Sequence, residues 1–327
     1  MSSKPAFISL VASLLASIPV AQSSEAYPSL PTWKCTTSGG CLQQNTSVVL
    51  DQGSQYAQGA AGSRTAADYT AMGVSTSGDA LTMYHYVTTN GTLNAASPRV
   101  YLLGADSEYV LMSLLNQELS VDVDYSTLPC GENGAFYLSE MAADGGGGAG
   151  AAAGTGYCDA QCPSGSCCNE MDVLEANSEA TAMTPHPCDG DTCDSSGCGY
   201  NPYANGLHSF WGPGLTVNTS QPFTVTTHTL VHTNGRQIDG GGTISTCGTD
   251  SATTGLTGMG NALGRGMVLA MSIWNDATQE MAWLDAGTDG PCASGAGSPS
   301  SIESQHPDTH VIFSNIRWGD IGSTATA

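Results

Sequence analysis

The sequence predicts an all-β sandwich of the jelly-roll type, on three observations. Its 327 residues include 41 glycines and 15 prolines with abundant Ser and Thr, a composition that favours short strands and turns over helices. Alternating, β-branched or aromatic runs recur between turn signals. No long stretch keeps a helical period, so antiparallel strands without intervening helices are expected, in one domain despite the length.

Strands are read, in order, near residues 47–50, 81–87, 100–103, 109–114, 119–124, 135–141, 168–173, 223–231, 267–274, 281–284 and 311–318. In ELSVDVD, Leu119, Val121 and Val123 share one face while Ser120, Asp122 and Asp124 share the other, the pattern of a half-buried strand. DGGGGAGAAAG, residues 144–154, reads as a flexible surface loop; strand-like sequence and cysteines continue on both sides, which argues against a domain linker. No internal repeat is found, and the chain stops at Ala327 without a Ser/Thr/Pro-rich tail or appended binding module.

Compartment and partners follow from composition. Lys4 is the only early charge, residues 6–20 are nearly all apolar or small, and Pro19-Val20-Ala21 offers a cleavage site. This predicts a signal peptide over 1–21, too short to span a membrane, and a secreted catalytic domain over 22–327, expected to be a monomer. Twelve cysteines in an oxidising compartment read as disulfides. Cys188, Cys193 and Cys198 recur near His186, but the spacing does not match a paired CxxC zinc site, so no metal is expected. The formal charge is −22, and past the leader Lys34 is the only lysine. Such a surface repels nucleic acid and anionic membrane, which points to a neutral partner. Sequons at Asn45, Asn90 and Asn218 mark expected surface loops.

The stretch NEMDVLEANSEATAMTPHPC concentrates three carboxylates. On a helix Glu170 and Asp172 would point about 200° apart; on a strand they share a face with Cα atoms roughly 6.6 Å apart. Glu175 would then fall on the opposite face unless a bulge intervenes between residues 173 and 175, and that irregularity is predicted. With it, two carboxyl groups can flank one glycosidic bond, a nucleophile and a proton donor, while Asp172 orients the nucleophile through like-charge coupling. The alternative is that alternating carboxylates face water. The adjacent Cys167-Cys168 anchor and the proline-flanked His186 favour a reaction centre.

At CCNEMDVLEAN and TPHPC the sequence resembles glycoside hydrolase family seven, the fungal cellulases that include cellobiohydrolases and endo-β-1,4-glucanases. KCTTSGGC, SPRVYLL, LPCGENGAFYLSEM, GYCDAQCP, CDSSGCGYNPY, GMVLAMSIWND, MAWLD and VIFSNIRWGDIGST resemble family segments in the same order, from about Leu30 onward. The resemblance implies a concanavalin-like jelly roll of two curved antiparallel sheets with a substrate cleft, and a retaining mechanism without cofactor or metal. It implies Glu170 as nucleophile, Asp172 as its supporting acid and Glu175 as acid/base, with cellulose or another β-1,4-glucan as partner. It further implies substrate contacts from His186, Asp159, Gln161, Asn133, Tyr137 and Trp283. By period two, Asp159 and Gln161 would share a strand face; Trp283 could stack on a sugar or lie in the core. The disulfides implied are Cys35–Cys41, Cys130–Cys292, Cys158–Cys168, Cys162–Cys167, Cys188–Cys193 and Cys198–Cys247.

The chain is shorter than family sequences after Asp51, between Cys162 and Cys167, and after Phe223. Tyr56 could replace a lost sugar platform, and short loops would leave an open cleft rather than a tunnel. The expected activity is therefore an endo-β-1,4-glucanase. The alternatives are a cellobiohydrolase, a mixed β-glucan or xylan hydrolase, and a catalytically weak lectin-like jelly roll.

Overall fold

The protein is described from a computed structural model that covers residues 25–54, 66–230, 251 and 253–326. The expected signal peptide, Tyr56 and Cys247 lie outside these residues. The described residues open with β1 (Thr32–Thr36), β2 (Gly40–Gln44), β3 (Ser47–Leu50), α1 (Ala66–Ala71), β4 (Val74–Ser77), β5 (Ala80–Tyr84), β6 (Tyr86–Thr89) and β7 (Thr92–Ala95). Then come β8 (Arg99–Leu103), β9 (Leu111–Met112), β10 (Gln117–Asp124), β11 (Glu132–Ser139), β12 (Glu170–Ala176) and β13 (Thr181–His186). Two-residue strands β14 (Cys188–Asp189), β15 (Thr192–Cys193), β16 (Trp211–Gly212) and β17 (Val217–Asn218) precede β18 (Phe223–Thr229). The chain closes with α2 (Gly255–Arg265), β19 (Met267–Asn275), α3 (Ala282–Asp285), α4 (Pro299–Gln305) and β20 (His310–Asp320).

Two large sheets face each other, as the jelly-roll expectation requires. One has the order β13-β12-β11-β19-β8-β3, with β9 beside β19; the other runs β18-β10-β20-β1-β2, with β5 on β20 and β4 on β5. Pairings within them are antiparallel except β1 with β20, which is parallel. The inter-sheet core takes alternate residues from both: Leu119, Val121 and Phe313 from one sheet meet Phe136, Leu138, Leu269 and Met271 from the other. Phe136 and Phe313 approach to 5.4 Å between ring centroids, and each such buried side chain contributes ~1.5–3 kcal/mol. The other face of the first sheet is also covered at one end, where Val268, Ala270, Tyr101 and Ala135 pack together. Further along β19 the same row continues as Ser272 and Trp274, which line an open cleft. Sheet alternation thus sets aside one face for structure and part of the other for the site.

Several sequence readings need correction. Residues 281–284 are not a strand: Met281 is fully buried at the start of α3, and the amide of Asp285 donates to the Met281 carbonyl. Helix α2, absent from the strand-only reading, buries Met259, Ala262 and Leu263 through i, i+3 and i+4 spacing, which its four glycines mask in sequence. The 81–87 strand breaks at His85 into β5 and β6, and 109–114 keeps only β9 as a strand. The glycine-rich 144–154 segment is no loose loop. Ala151 and Ala153 are buried, and a Cβ on Gly154 would lie 2.0 Å from the Leu50 carbonyl, so its glycines allow close packing. On β10, Ser120 is also buried, under Thr226 and Thr324, so only Asp122 and Asp124 keep the polar-face character.

Candidate active site

The site is built on β12. Against β11, Phe136 pairs with Leu174 and Tyr137 with Asp172, leaving Val173 without a partner. Against β13, Asp172 pairs with Thr184 and Glu175 with Ala182, so the strand carries one extra residue. This is a bulge between Asp172 and Glu175, where the carboxylate pattern required it. Val173 and Leu174 both enter the inter-sheet core with Met171. Glu170, Asp172 and Glu175 all line one cleft of about 890 Å³. Without the extra residue, Glu175 would point into the apolar core.

Each carboxyl has its own support. Glu170 Oε2 accepts the Ala160 amide at 3.1 Å. That amide belongs to a turn closed by two disulfides, Cys158–Cys168 and Cys162–Cys167, which clamp it against the start of β12. The same turn carries Asp159 and Gln161 into the cleft. They share a turn rather than a strand face: the Gln161 amide donates to Asp159 Oδ1 and the Gln161 side chain donates to the Ser195 carbonyl at 2.7 Å. Asn133, fully buried on β11, donates from Nδ2 to Glu175 Oε1 at 2.9 Å. Its Oδ1 has no donor among the described residues. An amide so placed can serve both protonation states, giving N–H to a carboxylate or, turned over, accepting O–H from the acid.

His186 bridges Asp172 to the neighbouring loop. Its Nδ1 lies 2.9 Å from the Asp194 carbonyl and its Nε2 3.1 Å from Asp172 Oδ2. A carbonyl only accepts, so Nδ1 carries a hydrogen, and Nε2 sits at ion-pair distance from Asp172. Gly197 allows this grip; at φ 62° a Cβ there would fall 2.7 Å from His186 Nδ1. Tyr137 completes the floor, with its hydroxyl 3.0 Å from that of Tyr157. Trp283 lines the cleft beside Trp274, their centroids 6.3 Å apart, while its neighbours Met281 and Leu284 are buried.

Electrostatically the three carboxyls resist full ionisation. Burial pushes Glu170 well above the usual carboxylate range; Asp172 and Asp159 push the same way, against His186 and the Ala160 amide. Burial also raises Asp172, reinforced by Glu175 and Asp159. Glu175 is raised by burial, opposed by the Asn133 donor and by His186. The group titrates as a unit that retains protons in a range where isolated carboxyls have lost theirs, which suits a proton donor; ionisation of Glu170 is helped only by His186 and the Ala160 amide. Glu170, Asp172 and His186 also present donor atoms within 4.8 Å of one another, the one mixed set among the described residues that could hold a cation without breaking a disulfide.

The structure joins the other expected cysteine pairs as well, Cys35–Cys41, Cys130–Cys292 and Cys188–Cys193. Cys198 is disulfide-bonded, and its expected partner Cys247 lies outside the described residues. Several cleft residues escaped the sequence reading. Arg99 stacks its guanidinium 3.4 Å from the Tyr157 ring centroid and pairs with Asp51 at 3.1 Å. Trp274 and Ser272 also line the cleft. Alternation along SPRVYLL and MVLAMSIWN would have found Arg99, Ser272 and Trp274, once the outward face was known.

A two-sheet jelly roll with buried carboxyls gathered in one cleft is the arrangement expected of a glycoside hydrolase. The profile described as Glycosyl hydrolase family 7 matches residues 59–164, 163–240 and 243–325. Endoglucanase EG-1 of Hypocrea jecorina is 46% identical over 384 aligned positions, covering 98% of this chain and 84% of its own. Endo-beta-1,4-glucanase celB of Aspergillus oryzae is 42% identical, covering 93% of this chain and 95% of its own. The solved structure of an endoglucanase I complexed with cellobiose superposes with a TM-score of 0.79 at 34% identity, over 92% of this chain and 98% of that one. A cellobiohydrolase from Daphnia pulex gives the same TM-score at 27% identity. The chain belongs to glycosyl hydrolase family 7.

Proposed function

We propose that the chain is a secreted endo-β-1,4-glucanase that cleaves internal bonds of cellulose or a related β-1,4-glucan with retention of configuration, residues 22–327 forming its catalytic domain after removal of 1–21. The observation that carries this reading is the bulged β12, which turns Glu170, Asp172 and Glu175 into one cleft. Glu170, steadied by the Ala160 amide, attacks the anomeric carbon. Glu175, kept protonated by burial, hands its proton to the leaving oxygen and then takes one from the attacking water. Asp172, raised by burial and by its acidic neighbours, stays protonated beside Glu170 and so keeps a second negative charge away from the nucleophile. Trp283, Trp274, Tyr137, Asp159 and Gln161 offer the aromatic and polar surface a glucan chain needs.

Endo-action is favoured over a processive tunnel. The chain is 46% identical to the endoglucanase EG-1 and 42% identical to the endo-beta-1,4-glucanase celB, and it lacks segments that even EG-1 carries. The test is hydrolysis of soluble β-1,4-glucan by the purified chain, with the new reducing ends followed by proton NMR. The β-anomer is expected first, and Glu170→Gln is expected to lower the rate by ~10⁴-fold or more. An α-anomer first, or substantial activity surviving Glu170→Gln, would overturn the assignment.

A further inference from the structure

The fold buries one more titratable assembly that glucan hydrolysis does not use. His85, in the break between β5 and β6, and Glu132, which opens β11, are both fully buried. His85 Nδ1 lies 2.8 and 2.7 Å from the two Glu132 oxygens, and Nε2 lies 3.0 Å from Ser97 Oγ. One ring nitrogen nearly equidistant from both carboxylate oxygens is the geometry of an N–H shared by an anionic carboxylate. That places the ring hydrogen on Nδ1 and leaves Nε2 to accept the Ser97 hydroxyl. Tyr86 stacks on the imidazole with centroids 4.3 Å apart and planes within 5°, so the ring is held in this orientation.

Ser97 is presented rather than packed away. It lines the same cleft as the carboxyl group. Its φ of 42° lies in the left-handed region that non-glycine residues rarely adopt, and such strain gathers at functional positions. The amides of Ala96 and Ser97 both donate to the His85 carbonyl, at 2.7 and 3.2 Å, so serine and histidine backbones are tied together.

We propose that Ser97, His85 and Glu132 form a second reaction centre, a serine-type acyl-transfer triad whose substrates are acetyl esters on sugar hydroxyls of glycans lying in the cleft. Ser97 Oγ forms a bond to the ester carbonyl carbon as its proton passes to His85 Nε2. The carbon–oxygen bond to the sugar breaks, and the sugar oxygen takes that proton from His85. Water then repeats the sequence on the acyl-serine, releasing acetate and restoring the hydroxyl. Glu132 holds the imidazole in the required tautomer and meets the imidazolium charge as it forms.

The test uses the full secreted chain. A fluorophosphonate probe followed by peptide mass spectrometry is expected to label Ser97. Acetate release from O-acetylated cello-oligosaccharides is expected to fall ~100-fold or more in Ser97→Ala, a small change at a half-buried position. Glu170→Gln is expected to keep both labelling and acetate release while losing glucan hydrolysis, so the two activities fail independently. Absence of label on Ser97, or acetate release undiminished by Ser97→Ala, would overturn the proposal and leave the three residues as a brace for the β5–β6 break.

Discussion

Glu118 on β10 and Glu170 on β12 both expose little surface, 2% and 8%, but Glu118 lies under a thin cover and Glu170 deep in the fold, and their carboxyls move in opposite directions. Burial raises both. At Glu118 it is outweighed by donors: the Thr324 and Gly322 amides at 2.6 and 2.7 Å, and His228 at 3.0 Å. Glu170 receives one amide and faces two acids, so burial wins. Depth and donor supply act together: Glu118 lies near the surface of the fold with several donors, whereas Glu170 lies deep with one, so one carboxylate anchors the fold and the other resists ionisation. Glu118 holds the C-terminal turn against the second sheet, whereas Glu170 is left short of donors that a substrate or a proton can replace.

The largest effect that can break this contrast is kinetic. Glu175→Gln removes the proposed proton donor and is expected to slow cleavage of unactivated glucan by ~10²–10⁴-fold. Aryl cellobiosides with acidic leaving groups should lose much less, because they need little protonation to depart. Equal losses on both substrates would remove Glu175 from the proton-transfer role. Glu118→Gln, outside the cleft, should leave kcat on either substrate near wild type.

Stability should show the opposite ranking. Glu118→Gln weakens two amide hydrogen bonds and the His228 pair, costing ~1–3 kcal/mol, the usual penalty for disrupted buried donors. The sign with pH follows from its lowered carboxyl. Its stabilisation is full above the unfolded-state carboxyl range and is lost as pH falls through the native value, so the Tm gap between wild type and variant should close as pH drops from about 7 to about 3. A gap that widens on acidification would contradict the donor argument.

Asp172→Asn tests the other half, with a smaller change. A raised carboxyl keeps its native-state advantage only below the unfolded-state range and loses it as pH rises through the native value. Wild type therefore carries an electrostatic penalty near neutrality that the neutral amide removes. Thermal melts should show the Asp172→Asn variant more stable than wild type by about 1–3 °C near pH 7, with the gain vanishing near pH 3. Activity should fall at the same time, since His186 loses the carboxyl at ion-pair distance from its Nε2.

How much of this was readable in sequence divides along the same line. The carboxylate pattern was legible because a period of two is strict: Glu170 and Asp172 must share a face, and only an inserted residue can bring Glu175 to it. The bulge at Val173 is thus a sequence prediction found in the structure. The two sheets were legible for the same reason. Helices α2 and α3 were not, because glycines dilute the period of one and the other is a single turn whose M-A-W-L mimics strand alternation. Contacts made by distant segments left no local trace. Nothing in the neighbourhood of Glu118 announces Gly322 and Thr324, and nothing around His85 announces Ser97 and Glu132.

The smallest expected effect is the sharpest test of donor supply, because it changes one hydrogen bond inside the catalytic group. Asn133 Nδ2 gives Glu175 its one side-chain donor and holds its carboxyl below the position that burial alone would set. Asn133→Ala should therefore raise the Glu175 carboxyl further. With Glu175 in its proposed role as acid, the alkaline limb of the kcat/KM profile on soluble glucan should move to higher pH, while the acid limb, assigned to the proposed nucleophile Glu170, stays nearly in place. A purely structural role for Asn133 would lower the whole profile without moving either limb. An alkaline limb displaced to lower pH would mean that the amide presents its oxygen to a protonated Glu175, and that the unpartnered Oδ1, not Nδ2, is the atom through which β11 controls the acid.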